Sequence, residues 1–309
     1  MRDWLDTPHA RGWLQPSDAG NRLGNDAVEA ALHAAAGQGF VAADAAVLAR
    51  TPTGAALPLL SWDHEPPPLA APVATGARSL GLYAIADSAA RLRQIVEAGA
   101  RTVQLRIKTP ASPDAAWHAA LRGEIAQAIG ICDAAGAELY VNDHWRLAHE
   151  LGARGVHLGQ EDLLAMDASE REALRASGLA LGVSSHSAWE LCRARALGPR
   201  YIACGPVWPT ITKDMPWIPQ GLDNLAWWCR MAQAPVVAIG GILGPEQVRQ
   251  VAATGCDSVC IVRGLGVDPG AVLPGLRAAF DAGRADARPL AADWPHPSLP
   301  VAEGDPAHA

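Results

Sequence analysis

Between Leu80 and about Gly283, short apolar runs alternate with helix-period stretches eight times. The runs are Gly81–Ile85, Thr102–Ile107, Glu138–Val141, Gly155–Leu158, Ala180–Val183, Tyr201–Cys204, Val236–Ile239 and Ser258–Val262. Most are nearly continuous in apolar residues, as strands buried on both faces are. Between them, Ser88–Ala98, Ala115–Ala135, Ser187–Ala196 and Pro245–Ala253 read as helices, and Pro245 suits a first helical turn. Ala-Gly-Ala at 98–100, Leu-Gly-Ala at 151–153 and Thr-Gly-Cys at 254–256 put glycine where helices end, just before a strand. Eight strand–helix units in about 200 residues predict an α/β fold, a (β/α)8 TIM barrel. A doubly wound sheet would carry Gly-x-Gly-x-x-Gly after an early strand, and no such turn is present.

The flanks differ in texture. Residues 1–79 hold Pro-rich connectors such as Glu65-Pro66-Pro67-Pro68 and an Ala-rich helical stretch from about Asn25 to Arg50. They predict a small, mainly helical, non-catalytic N-terminal extension. The barrel is expected over 80–284. Residues 285–309, rich in Ala, Pro, Asp and His, predict a flexible tail.

Composition narrows the partners. The 309 residues carry 25 Lys+Arg against 32 Asp+Glu, a net charge of −7. That balance argues against a nucleic-acid or anionic-membrane partner. No stretch reaches the ~18 apolar residues of a membrane helix, and the N-terminus lacks the regions of a signal peptide. Six scattered cysteines without a Cys-x-x-Cys pair suggest buried free thiols in a reducing cytoplasm. Cys256 and Cys260 have no histidine near them to complete a metal site. Oligomeric state, including a homo-oligomer, stays open.

Polar residues gather where the barrel fold keeps its chemistry, at the C-terminal ends of strands. Gln104, Arg106 and Lys108 alternate along the second strand and fall on one side. Two cations and an amide projecting from a strand end suit a phosphate or pyrophosphate. An edge strand with one wet face would read the same way. Asn142 and Asp143 follow the third strand, Gln160, Glu161 and Asp162 the fourth, and Ser184 and His186 the fifth. Asp143 and Asp162 could share a hard cation, since Mg2+ takes one or two carboxylates and fills its shell with water and phosphate oxygens. Each could equally be a helix N-cap. Residues 205–214 form a long loop whose Thr210, Thr212 and Lys213 are phosphate ligands. Ile239-Gly240-Gly241-Ile242 and Arg263-Gly264 offer backbone N–H groups of the kind that make the phosphate pocket of barrel enzymes. Two phosphate sites, one with a metal, point to a transfer between two phosphorylated substrates.

Six segments together resemble the thiamine phosphate synthase family: 104–108 (Gln-Leu-Arg-Ile-Lys), 141–143 (Val-Asn-Asp), 155–162 (Gly-Val-His-Leu-Gly-Gln-Glu-Asp), 182–184 (Gly-Val-Ser), 209–213 (Pro-Thr-Ile-Thr-Lys) and 239–242 (Ile-Gly-Gly-Ile). The resemblance spans the whole barrel. It implies a Mg2+-dependent transferase that joins hydroxymethylpyrimidine diphosphate to thiazole phosphate carboxylate, releasing pyrophosphate and CO2. Arg106, Lys108, Asn142 and Lys213 would hold the diphosphate, with Mg2+ between Asp143 and Asp162. Gln104 and Ser184 would lie by the pyrimidine, and Thr210, Thr212, Gly241 and the backbone at Val262-Arg263 would bind the thiazole phosphate. Catalysis would then rest on Arg106, Lys108, Lys213 and Ser184, without a protein nucleophile or general base. The chain departs from the family at Arg263-Gly264-Leu265, where members often carry Ser-Ala-Ile, and at Trp208, usually another aromatic. Residues from about Asn21 to Leu57 faintly resemble the C-terminal tail of hydroxymethylpyrimidine phosphate kinases. A thiazole tautomerase would have little use for the diphosphate clamp, and a non-enzymatic thiamine-phosphate sensor is the third reading.

Overall fold

The computed structural model describes residues 2–16, 23–51, 56–66, 79–211, 216–288 and 294–300. Eight parallel strands close into a barrel: β4 (Gly81–Ala86), β5 (Thr102–Leu105), β6 (Glu138–Asn142), β7 (Gly155–Leu158), β8 (Ala180–Ser185), β9 (Tyr201–Cys204), β10 (Val236–Ala238) and β11 (Ser258–Ile261). Pairing follows chain order, and β11 closes on β4 with Val259 beside Leu82 and Ile261 beside Ala84. The fold is thus the (β/α)8 barrel that the alternation predicts.

Outer helices shield the strands: α3 (Ala89–Glu97), α4 (Ala115–Ala135), α5 (Trp145–Glu150), α6 (Gln160–Ala165), α7 (Ala168–Ala176), α8 (Ala188–Arg195), α9 (Gly221–Met231), α10 (Pro245–Ala253) and α11 (Pro269–Asp286). Their starts follow from capping chemistry. Ser88, Asp114, Asp167, Ser187 and Asp268 each accept a backbone N–H three residues on. One apolar cluster fills the space between strands and helices, and a second, built around Tyr83, Tyr140 and Tyr201, fills the barrel itself. Among the described residues no helix is long and apolar enough to cross a membrane.

Four expectations change. The strand predicted to run to Ile107 ends at Leu105, because the polar residues beyond it turn into the barrel mouth. The single helical stretch from Asn25 to Arg50 is two helices, α1 (Asn25–Gly37) and α2 (Ala42–Leu48), broken where Gly39 takes φ +85°. The extension also holds an unforeseen antiparallel sheet of β1 (Asp3–Asp6), β2 (Arg11–Gln15) and β3 (Leu59–Leu60). Part of the supposedly flexible tail is packed. Helix α11 continues to Asp286, and Ser298 and Leu299 are buried. Prolines and few apolar anchors look tail-like in composition, yet prolines lose little conformational entropy when they dock.

The extension is welded to the barrel through α8, every residue of which is buried. Two arginines of this helix are desolvated, which lowers both guanidinium pKa values. Burial is tolerated because each finds a partner. Arg193 lies over the Trp62 ring at 5.1 Å, and Arg195 donates to the carbonyls of Leu57 (2.7 Å) and Pro58 (3.2 Å). Arg171 pairs with Glu65. Asp44 of α2 is buried at the start of α8 and accepts the Trp189 amide at 3.2 Å. Burial pushes its carboxyl up to about 7.

That shift fixes a sign. An unfolded aspartate ionises near 3.8, Asp44 in the fold near 7. Between those values the folded chain holds a proton that the unfolded chain has lost, so stability falls as pH rises through the window. The loss totals roughly 4 kcal/mol. Asp44→Asn keeps an acceptor for the Trp189 amide and removes the ionisation. Its urea-denaturation stability should change less between about pH 4 and pH 8 than that of the wild type.

Candidate active site

A cavity of about 450 Å3 opens at the C-terminal ends of the barrel strands. Gln104, Arg106, Asn142, Asp143, Asp162, Ser184, Thr210, Gly241, Val262 and Arg263 all line it. Lys108 is exposed two residues past Arg106 and does not line it. Thr212 and Lys213 lie outside the described residues. A second cavity, about 650 Å3, sits at the opposite end of the barrel around Cys132, Glu138 and Arg200, away from these groups.

The cavity base is a hydrogen-bonded chain that sequence reasoning missed. The Gln104 amide nitrogen donates to the Tyr83 hydroxyl at 3.1 Å. Tyr83 and Tyr201 hydroxyls meet at 2.7 Å, Tyr201 contacts His157 Nδ1 at 2.8 Å, and His157 Nε2 contacts Ser184 Oγ at 2.8 Å. Burial lowers the His157 pKa to about 3, with Arg106 and His186 adding repulsion. Burial likewise drives both phenols above their ordinary range. All members are therefore neutral at physiological pH, and the imidazole has one donor and one acceptor nitrogen.

Gln104 sets the direction of the chain. If its amide donates to Tyr83, then Tyr83 donates to Tyr201, Tyr201 to His157 Nδ1, and His157 Nε2–H to Ser184. In the opposite direction Tyr83 would accept twice and its own hydrogen would find no acceptor in the chain. The result is an ordered pair of polar tips: a carbonyl acceptor on Gln104 and a hydroxyl donor on Ser184. Space for this comes from Gly182, where a Cβ would overlap the Tyr201 ring. Tyrosines and a histidine in barrel strands were the available signal, but only closure of the sheet brings 83, 157 and 201 together.

The two aspartates differ. Asp143 has φ +65°, a left-handed backbone that aspartate tolerates better than most residues. Its amide donates to His157 O (3.0 Å) and its carbonyl accepts from the Trp145 amide (2.9 Å). It is not the N-cap of α5, which begins after His144. Asp162 does act as a cap, accepting the Gly159 amide at 2.8 Å, a bond that also orients its carboxylate. Among the described residues no group of three or more His, Cys, Asp or Glu could hold a metal. Two hard carboxylates that line the same cavity as Arg106 suit a Mg2+ ion that keeps water and phosphate ligands.

Opposite the aspartates, Gly240 and Gly241 have φ +99° and +73°. A Cβ on Gly241 would fall 2.6 Å from Trp208 Cβ, so only glycine lets this turn lie against the loop after β9. Amides of Val207 and Trp208 donate to Ile239 O (2.9 Å) and Gly240 O (3.1 Å), locking the two loops together. Arg263, in a 3-10 turn after β11, also lines the cavity.

Residues 81–265 match the family model described as thiamine monophosphate synthase. The chain belongs to the thiamine monophosphate synthase family. A thiamine-phosphate synthase of Neisseria meningitidis serogroup A is 45% identical over 205 residues, covering 65% of this chain and 95% of that relative. One from Rhizobium etli is 45% identical over 188 residues, 60% of this chain and 87% of its own. Among solved structures, a thiamine phosphate pyrophosphorylase from Pyrococcus furiosus superposes with TM-score 0.56 at 28% identity, over 66% of this chain and 97% of that one. Membership in this family makes the chain an enzyme of the transferase class.

The chain of hydroxyls gives a stability prediction. Tyr201→Phe leaves His157 Nδ1 without a donor and the hydrogen of the Tyr83 hydroxyl without an acceptor, which should cost about 1–3 kcal/mol in urea denaturation. Ser184→Ala, at the half-buried end of the chain, should cost less in the same measurement.

Proposed function

We propose that the protein transfers the hydroxymethylpyrimidine group from its diphosphate to thiazole phosphate carboxylate, releasing pyrophosphate and CO2 to give thiamine phosphate. The observation that carries this is the sharing of one cavity by the Gln104–Ser184 pair, Arg106 with two aspartates, and the Gly240-Gly241 turn. Each suits a different part of the two substrates.

The Gln104 carbonyl accepts from the exocyclic amino group of the pyrimidine, and the Ser184 hydroxyl donates to a ring nitrogen. Because that pair is fixed by the buried chain, the ring is oriented before the reaction begins. Arg106 and Asn142 engage the diphosphate, and Lys108 and Lys213 add two further cations for it. Asp143 and Asp162 hold Mg2+, which supplies charge neutralisation for the departing pyrophosphate when bound.

The bond from the pyrimidine methylene carbon to the diphosphate oxygen breaks with its electron pair leaving on pyrophosphate. The ring amino group donates into the resulting cation, and the thiazole nitrogen lone pair forms the new bond. The carboxylate then leaves as CO2, and the electron pair it leaves on the thiazole takes up a proton from solvent. No protein nucleophile or base is required. Backbone N–H groups at Gly241 and Val262-Arg263, with Thr210 and Thr212, bind the thiazole phosphate. Burial of all six cysteines except the half-buried Cys229, each a free thiol, supports a cytoplasmic setting.

Pyrophosphate release with both substrates and Mg2+ tests the reading, with Asp162→Asn as the informative variant. Asparagine still accepts the Gly159 amide but loses the charge. The wild type should release pyrophosphate, and the variant should need about tenfold more Mg2+ or worse for half-maximal rate. Folded wild-type protein that releases none would contradict the proposal.

A further inference from the structure

The loop after β9 returns to the barrel through residues 216–220, and Trp217 of this arm lines the cavity beside His186 and Glu190. The Trp217 and His186 rings stack at 5.0 Å and 9°, and Trp217 also leans on Trp189 at 5.7 Å. Much of what holds this arm comes from the chain termini. The Ile218 amide donates to Ser298 O at 2.9 Å, and His296 Nε2 lies 3.0 Å from Gln220 O. Asn224 accepts the His296 amide at 2.7 Å and donates to its carbonyl at 3.0 Å.

The strap made by residues 294–300 is itself gripped by the extension. Trp294 packs edge-on against Phe40. The Ser298 hydroxyl reaches Asp44 Oδ2 at 3.4 Å, while Asp44 Oδ1 takes the Trp189 amide. Contacts therefore run from α2 through the strap to the return arm, and from α2 through Trp189 to the same indole. Both gripping elements lie outside residues 81–265, the stretch shared with the family.

We propose that α2 and the strap form a clamp that positions Trp217 and the return arm as one wall of the substrate cavity. The termini then serve substrate binding, and Trp217, His296 and Asp44 are positioning residues. Loosening the wall should weaken binding of the planar heteroaromatic diphosphate more than it slows its reaction. Only this kinetic consequence rests on the transfer reaction proposed above.

Two variants test the clamp: a chain ending at Arg288 and the full-length His296→Ala. Hydrogen exchange at the Ile218 amide should quicken about tenfold or more in the first and about threefold in the second, with barrel-strand amides unchanged. KM for the pyrimidine diphosphate should rise several-fold in the truncated chain while kcat stays within about twofold. If truncation exposes the whole barrel, His296→Ala decides, and unchanged Ile218 exchange there overturns the clamp. Quickened exchange in a protein whose wild type releases no pyrophosphate would support the clamp and refute the reaction.

Discussion

A neutral imidazole held between two hydroxyls at the centre of the barrel is the constraint on which the site depends. His157 is buried among Tyr83, Tyr201 and Ser184 with its pKa pushed down to about 3. Because it cannot take a second proton at working pH, its two nitrogens have opposite roles, and the roles of its neighbours follow. A protonated ring would turn both nitrogens into donors and reverse Tyr201, leaving hydrogens facing each other in the core. Burying several polar groups is costly singly and stabilising as a satisfied set. The barrel interior thus supplies rigidity and also decides which polar tip at the cavity accepts and which donates.

Around that fixed base the strand ends divide the labour. Arg106 and the aspartates follow β5, β6 and β7, and the Gly240-Gly241 turn and Arg263 follow β10 and β11. The net charge of −7 makes this local arrangement of cations and amides necessary, since no general basic field draws phosphates in. The termini add a further layer. A helix buried on every face, carrying two desolvated arginines, is unusual on the outside of a barrel, and α8 reaches that state because the extension covers it.

The barrel was legible because parallel strands covered on both faces must be apolar, and the eight runs stand out between helical stretches. Strand-end residues were legible for the same reason, as polar exceptions at predictable places. Other features were hidden by physics that a linear reading cannot weigh. Tyr83, His157 and Tyr201 sit on strands far apart in sequence, and inward and outward positions look alike until the sheet closes. Asp143 and Asp162 each read as cap or ligand, and only backbone geometry separates them: one is left-handed, the other caps a turn. Strands β1 and β2 carry aspartate and arginine at their ends, which weakens their strand signal. The strap reads as tail because three of residues 294–300 are proline and two more, His296 and Ser298, are polar.

The most direct measurement is the 15N NMR spectrum of the His157 ring across pH. The hydrogen-bonded chain predicts a neutral ring with the proton on Nε2, unchanged from about pH 8 to about pH 5. A midpoint near the ordinary histidine value of about 6.5, or a proton resting on Nδ1, would contradict the account.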